Sequence, residues 1–63
     1  MENYQKRVVQ EKTDLDERIE KLTDFISTQT YFDLKTRERN IMGLQLYYMR
    51  RYSSVLGERI AGF

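Results

Sequence analysis

IMGLQLYYMRRYSSVLGERIAGF, residues 41–63, is the stretch on which the fold turns. Met42, Leu46, Met49, Leu56, Ile60 and Phe63 recur at steps of four and three, with Ser53 as the single gap. Beside that stripe runs a second one of Ile41, Leu44, Tyr48, Tyr52 and Val55. At about 100° per residue the two together span roughly 200° of helix circumference. One antiparallel neighbour covers only part of such an arc. The remainder, rich in Tyr and Met, is an apolar patch that a lone subunit would leave in water.

Upstream, the pattern predicts the neighbour. Tyr4, Val8, Leu15, Ile19, Leu22 and Ile26 fall within an arc of about 60° on a helical wheel, with Val9 and Phe25 outside it. Glu11 and Lys12 interrupt this seam where another apolar residue belongs. Between the two helical stretches lie Ser27, Thr28, Gln29 and Thr30, types that prefer turns and caps to helix interiors. Thr30 is placed to cap a short turn whose third position is Asp33. No segment alternates β-branched with polar residues in the manner of a strand. The predicted fold is therefore all-α: one domain over residues 1–63, an antiparallel two-helix hairpin. Helix 1 runs over about 2–27, a short turn or 3-10 segment connects at 28–34, and helix 2 runs over about 35–61. In that hairpin, positions summing to about 62 lie side by side, which puts Tyr4 beside Arg59, Glu11 beside Arg51 and Tyr52, and Leu15 near Tyr48.

A chain of 63 residues buries only about 60% of its unfolded surface, and natural proteins of this size add disulfides, a metal or a partner. There is no Cys and no His, which excludes disulfides and ordinary zinc ligation. A partner remains, and the expected one is a second copy, giving a helical-bundle homo-oligomer. The second stripe of helix 2 supplies the candidate oligomer interface: Ile41, Leu44, Tyr48, Tyr52 and Val55, with Gly57. A mid-helix Gly costs about 1 kcal/mol relative to Ala, so Gly43 and Gly57 call for a reason. Gly57, with Ala61 and Ser53 a turn to either side, lets another backbone or a ligand approach closely, and helix packing is the favoured reading.

No run approaches the ~18 apolar residues of a membrane span, and Glu2, Asn3 and Tyr4 after the first Met lack the basic-then-apolar order of an export signal. The expectation is a soluble protein of the cytoplasm, without membrane attachment. Net charge is +1, unevenly placed: residues 1–28 hold five basic and seven acidic side chains, residues 29–63 six basic and three acidic. Opposite signs on two segments suit antiparallel packing of one on the other.

Catalysis is poorly provided for. The usual general base and the thiolate nucleophile are absent. Asp14, Asp16, Glu17, Glu20 and Asp24 lie mostly on the polar side of helix 1, where no pocket would converge them. No metal site and no cofactor are expected. Binding is better supported. The open end of the hairpin gathers Tyr4, Arg7, Lys12, Arg51, Tyr52 and Arg59, with Glu11 between them. Arginines with tyrosines grip phosphates and stack on bases. The same residues also allow a plainer reading, in which Glu11 pairs with an arginine to fix register and the tyrosines are amphipathic core.

The whole chain resembles a group of short phage-encoded proteins of unknown function. The likeness rests on Tyr4, Gln5, Arg7 and Val8, then Glu11, Lys12, Leu15, Asp16 and Glu17. It continues at Phe32 and Leu34, at Gln45, Met49 and Tyr52, and through Val55, Leu56, Arg59, Ile60 and Phe63. Such proteins tend to carry Pro and more acids in the loop, where Lys35, Thr36, Arg37 and Arg39 stand here. The closing run Met49, Tyr52, Leu56, Arg59 and Ile60 is similar, more distantly, to the hairpin domain of phage sponges that counter the CBASS and Thoeris defences by sequestering nucleotide signals. That similarity implies a ligand class and carries no binding residue across.

The expected function is thus that of a phage accessory protein acting in counter-defence by stoichiometric sequestration. Its partners would be other copies of itself and a small anionic ligand such as a cyclic nucleotide, held between subunits. Tyr4, Arg7, Glu11, Lys12, Arg51, Tyr52 and Arg59 are the candidate ligand-binding residues. Two alternatives stand beside it: an inhibitor that docks its tyrosine-rich stripe on a host protein, and a hairpin dimer on paired RNA in the manner of Rop-type regulators, for which a net charge near zero predicts weak nucleic-acid binding.

Overall fold

The computed structural model describes residues 1–63 and is entirely helical, with α1 over Asn3–Phe25, α2 over Gln29–Phe32 and α3 over Thr36–Ala61. The long helices α1 and α3 pack against each other as a hairpin 46 Å long and 14 by 13 Å across. Two helices, each with an apolar seam, must bury those seams on one another.

Helix α1 begins where Glu2 takes an extended conformation and its N–H donates to Gln5 Oε1 at 2.8 Å. It ends at Phe25, two residues before the expected Ser27. The cause is local: the Ser27 hydroxyl donates to the Asp24 carbonyl and the Thr28 hydroxyl to the Phe25 carbonyl, satisfying acceptors that another helical turn would have used. Thr28, not Thr30, caps the connection, accepting from the Tyr31 N–H at 3.2 Å. The connection is a full helical turn, α2, pinned by aromatic edges. Tyr31 stands edge-on to Phe25 at 6.2 Å and to Phe32 at 5.3 Å, and its hydroxyl donates to the Arg39 carbonyl.

The core lies toward the open end of the hairpin. Val8, Leu15 and Leu56 form its centre, with Ile19, Met49 and Ile60 packed around them; Leu46 is buried separately, nearer the turn. Leu56 alone is fully enclosed, at 1% exposure. Both sequence gaps fall between these apolar layers and face each other. Lys12 Nζ donates to Asp16 Oδ2 at 2.9 Å and to Ser53 Oγ at 2.8 Å, and Ser53 in turn donates to Asp16. The polar break in the α1 seam and the serine in the α3 stripe thus complete one another. A misregistered hairpin would separate the buried Ser53 from both Lys12 and Asp16, so this polar layer favours one alignment.

The alignment holds at one expected pair and shifts at others. Glu11 meets Tyr52 as expected, but Lys12 meets Ser53 and Tyr4 meets Phe63, pairs that sum to more than 62. Side chains lean toward the N-terminus of their own helix. Across an antiparallel pair each contact is therefore made from slightly farther along both segments. Arg59 consequently lies past Tyr4, and Phe63 takes its place.

The glycines separate. A methyl group at Gly57 would sit 3.4 Å from Lys12 Cε, so Gly57 faces α1 and makes room for the lysine stem. The expectation that it lines the outer stripe is corrected accordingly. Around Gly43 nothing lies within 4 Å. Gly43→Ala should raise hairpin stability by about 1 kcal/mol, read as a higher denaturation midpoint in urea with unchanged slope. A lower midpoint would mean that another backbone rests on Gly43.

Candidate functional site

The seven residues expected to converge are distributed over three directions. Tyr4 stacks edge-on against Phe63 at 5.9 Å, and the Tyr52 hydroxyl donates to Glu11 Oε2. These contacts zip one flank of the hairpin. Lys12 turns to the opposite flank, where it forms the only ion pair of the structure, with Asp16. Its charge is already neutralised. Arg51 extends over the ring of Tyr47, 5.8 Å from the centroid, on the side of α3 turned from α1. Arg7 and Arg59 are exposed and lack a carboxylate partner.

Lys12, Asp16 and Ser53 form a tight charged group with an electrostatic consequence. The Ser53 hydroxyl, donating to the carboxylate, and then the Lys12 ammonium hold Asp16 below the usual carboxylate range, against a smaller opposing effect of burial. A depressed pKa in the folded state means stabilisation that is complete above the ordinary carboxylate value, near 4, and lost as pH falls through the folded one. Acid titration of thermal stability should therefore show a decline below about pH 4 that Asp16→Asn largely flattens. Equal acid slopes for the two proteins would detach Asp16 from this role.

Two concavities mark the surface. One, about 480 Å³, lies between the helices and is lined by Arg18, Lys21, Leu22, Phe25, Met42, Gln45 and Met49. It is mostly apolar, with two cations at its α1 rim. The other, about 590 Å³, runs along α3 alone and is lined by Tyr47, Arg50, Arg51, Ser54, Val55 and Glu58. Positions 47, 50, 51, 54 and 58 share a face because three- and four-residue steps return to the same side of a helix. Four of these six, Tyr47, Arg50, Ser54 and Glu58, were not among the sequence candidates. That same spacing was the available signal, obscured by the attention drawn to the apolar stripes.

The chemistry of this second groove suits an anion bearing a ring and hydroxyls. Neither Arg50 nor Arg51 is ion-paired, and Arg50 makes only a 3.4 Å contact to the Thr23 hydroxyl. Tyr47 offers a ring face that already carries a guanidinium. Glu58 and Ser54 can accept from ribose hydroxyls, a role carboxylates hold in nucleotide sites.

The outer stripe is open along its length. Ile41, Leu44, Tyr48, Tyr52 and Val55 are between 46% and 62% exposed, with Tyr48 the most. No helix of the structure is long and apolar enough to cross a membrane.

A family model described as Sequestin matches residues 2–62 of the chain. No curated protein matches it, and no solved structure does.

Proposed function

We infer function from one premise: the chain belongs to the Sequestin family. The family's name describes sequestration, a task of binding and not of turnover. On that basis the protein works stoichiometrically, taking a small anionic ligand out of circulation. The ligand class is a nucleotide, cyclic nucleotides foremost, and the setting is phage counter-defence in the host cytoplasm. The protein acts as an assembly of identical subunits and is not an enzyme.

One observation carries the ligand class: Arg51 lies over Tyr47 beside Arg50 in an open groove, and no carboxylate pairs with either arginine. An unpaired guanidinium preorganised on a ring is ready to meet phosphate while a base stacks nearby. Arg7 and Arg59 add unpaired positive charge at the open end and draw an anion toward the hairpin. Lys12, tied to Asp16, takes no part, and Tyr52 with Glu11 holds the hairpin together.

Calorimetric titration of the purified protein with a panel of cyclic and linear nucleotides tests this. The expected result is saturable binding to at least one of them, with the nucleotide recovered intact after the protein is denatured. Release of a hydrolysed product would replace sequestration with catalysis. No heat and no thermal stabilisation with any member of the panel would remove the nucleotide reading.

A further inference from the structure

Five of the six exposed large apolar residues of α3 are spaced symmetrically, Tyr47 being the exception. Ile41 and Val55 lie seven positions to either side of Tyr48, and Leu44 and Tyr52 lie four to either side. All five fall within an arc of about 80° on the wheel, on a flank of α3 beside the seam that holds the buried Leu46, Ser53 and Leu56, with Tyr52 at its edge reaching Glu11 of α1. An interface between identical subunits across a two-fold axis must be complementary to itself. A stripe that reads alike in both directions from one residue meets that condition when two copies run antiparallel.

We propose that α3 packs antiparallel against α3 of a second copy, with the two-fold axis passing at Tyr48. Ile41 then meets Val55 of the second copy, Leu44 meets its Tyr52, and the two Tyr48 rings meet each other.

Surface area supports a second copy as the occupant. The chain exposes 4986 Å², whereas a compact monomer of its mass exposes about 4,300 Å². The excess, roughly 700 Å², is close to the ~800 Å² per partner of a standard specific interface. Charge favours this direction by one pair only. In parallel packing Arg37, Arg51 and Arg59 would each face their own copies, whereas in antiparallel packing Arg37 lies level with Arg59 of the second copy and Arg51 with its Gln45.

The axis also has a consequence for the groove, which rests on the sequestration reading. A two-fold perpendicular to both helices places equivalent flanks on the same side of the interface. Tyr47, one residue before the axis, and Arg51, three after it, therefore sit beside their symmetry mates. The two Arg51 side chains are offset by only about 9 Å along the helices. Two half-grooves become one composite site, and one nucleotide should bind per two chains.

The chain has no cysteine, so single-cysteine variants can be cross-linked cleanly with a short bismaleimide. Tyr48→Cys is expected to give a covalent dimer on a denaturing gel. Ile41→Cys and Val55→Cys should each stay monomeric alone, because the like residues lie about 21 Å apart along the axis, and should cross-link when mixed. Efficient self-cross-linking of Ile41→Cys would show parallel packing and overturn the proposal. So would failure of all three with the unmodified chain sedimenting as one subunit. Cross-linking at position 48 in a protein that binds no nucleotide would uphold the dimer and defeat sequestration. Binding of one nucleotide per chain would overturn the composite site.

Discussion

Leu56→Ala is expected to unfold most of the protein at low micromolar concentration. Leu56 is the only fully enclosed side chain, and it touches the Val8 and Leu15 layer from the opposite helix. Removing a buried leucine costs about 2–5 kcal/mol. A domain of this length has about 3–9 kcal/mol of stability in total, and here only a thin layer of apolar side chains provides it. The far-UV circular dichroism signal at 222 nm should fall at room temperature and recover as protein concentration rises, since association stabilises the folded state by mass action. Leu44→Ala deletes the same atoms from a half-exposed site. It should leave the hairpin's own packing untouched and act mainly on that concentration dependence. A Leu56→Ala protein as helical and as heat-stable as the original would place the core elsewhere and break the helical register described above.

Arg51→Glu is the second change with a large expected effect. It should weaken nucleotide binding by about 100-fold or more. A hydrogen bond to a charged group contributes about 1.5–3 kcal/mol, and the introduced carboxylate adds repulsion. Melting without ligand should stay within about 0.5 kcal/mol of the original, because Arg51 is exposed and forms no ion pair. Arg51→Lys keeps the charge but loses the planar fork and its stacking, so its affinity should fall between the two. Isothermal calorimetry on the three proteins decides the matter. Unchanged affinity in Arg51→Glu would move the anion away from the α3 groove and toward Arg7 and Arg59.

The polar layer shows why part of the site was hidden from sequence reading. Glu11, Lys12 and Ser53 each looked like a defect in an otherwise apolar seam. Only the packing of α1 on α3 reveals that Lys12 and Ser53 answer each other through Asp16. Asp16 lies outside the α1 seam on the wheel and gave no sign of this role. Of the cluster expected at the open end, Glu11 and Tyr52 meet while Lys12 and Arg51 turn elsewhere, for a related reason. Wheel positions separate by tens of degrees, and on a thin ribbon that is enough to send Lys12, Tyr52 and Arg51 to three different sides. A projection on one helix does not say which flank its neighbour occupies.

Periodicity alone determined the helical class, the two long segments and the surplus of apolar circumference on residues 41–63, since hydrophobic spacing is local and the α-helix turns it directly into a face. The linking of Lys12 and Asp16 to Ser53, the turning of Gly57 toward Lys12 and the meeting of Tyr4 with Phe63 were decided by tertiary structure. Each depends on hydrogen bonds and side-chain directions that exist only once two helices lie together, where a shift of one residue exchanges one partner for another.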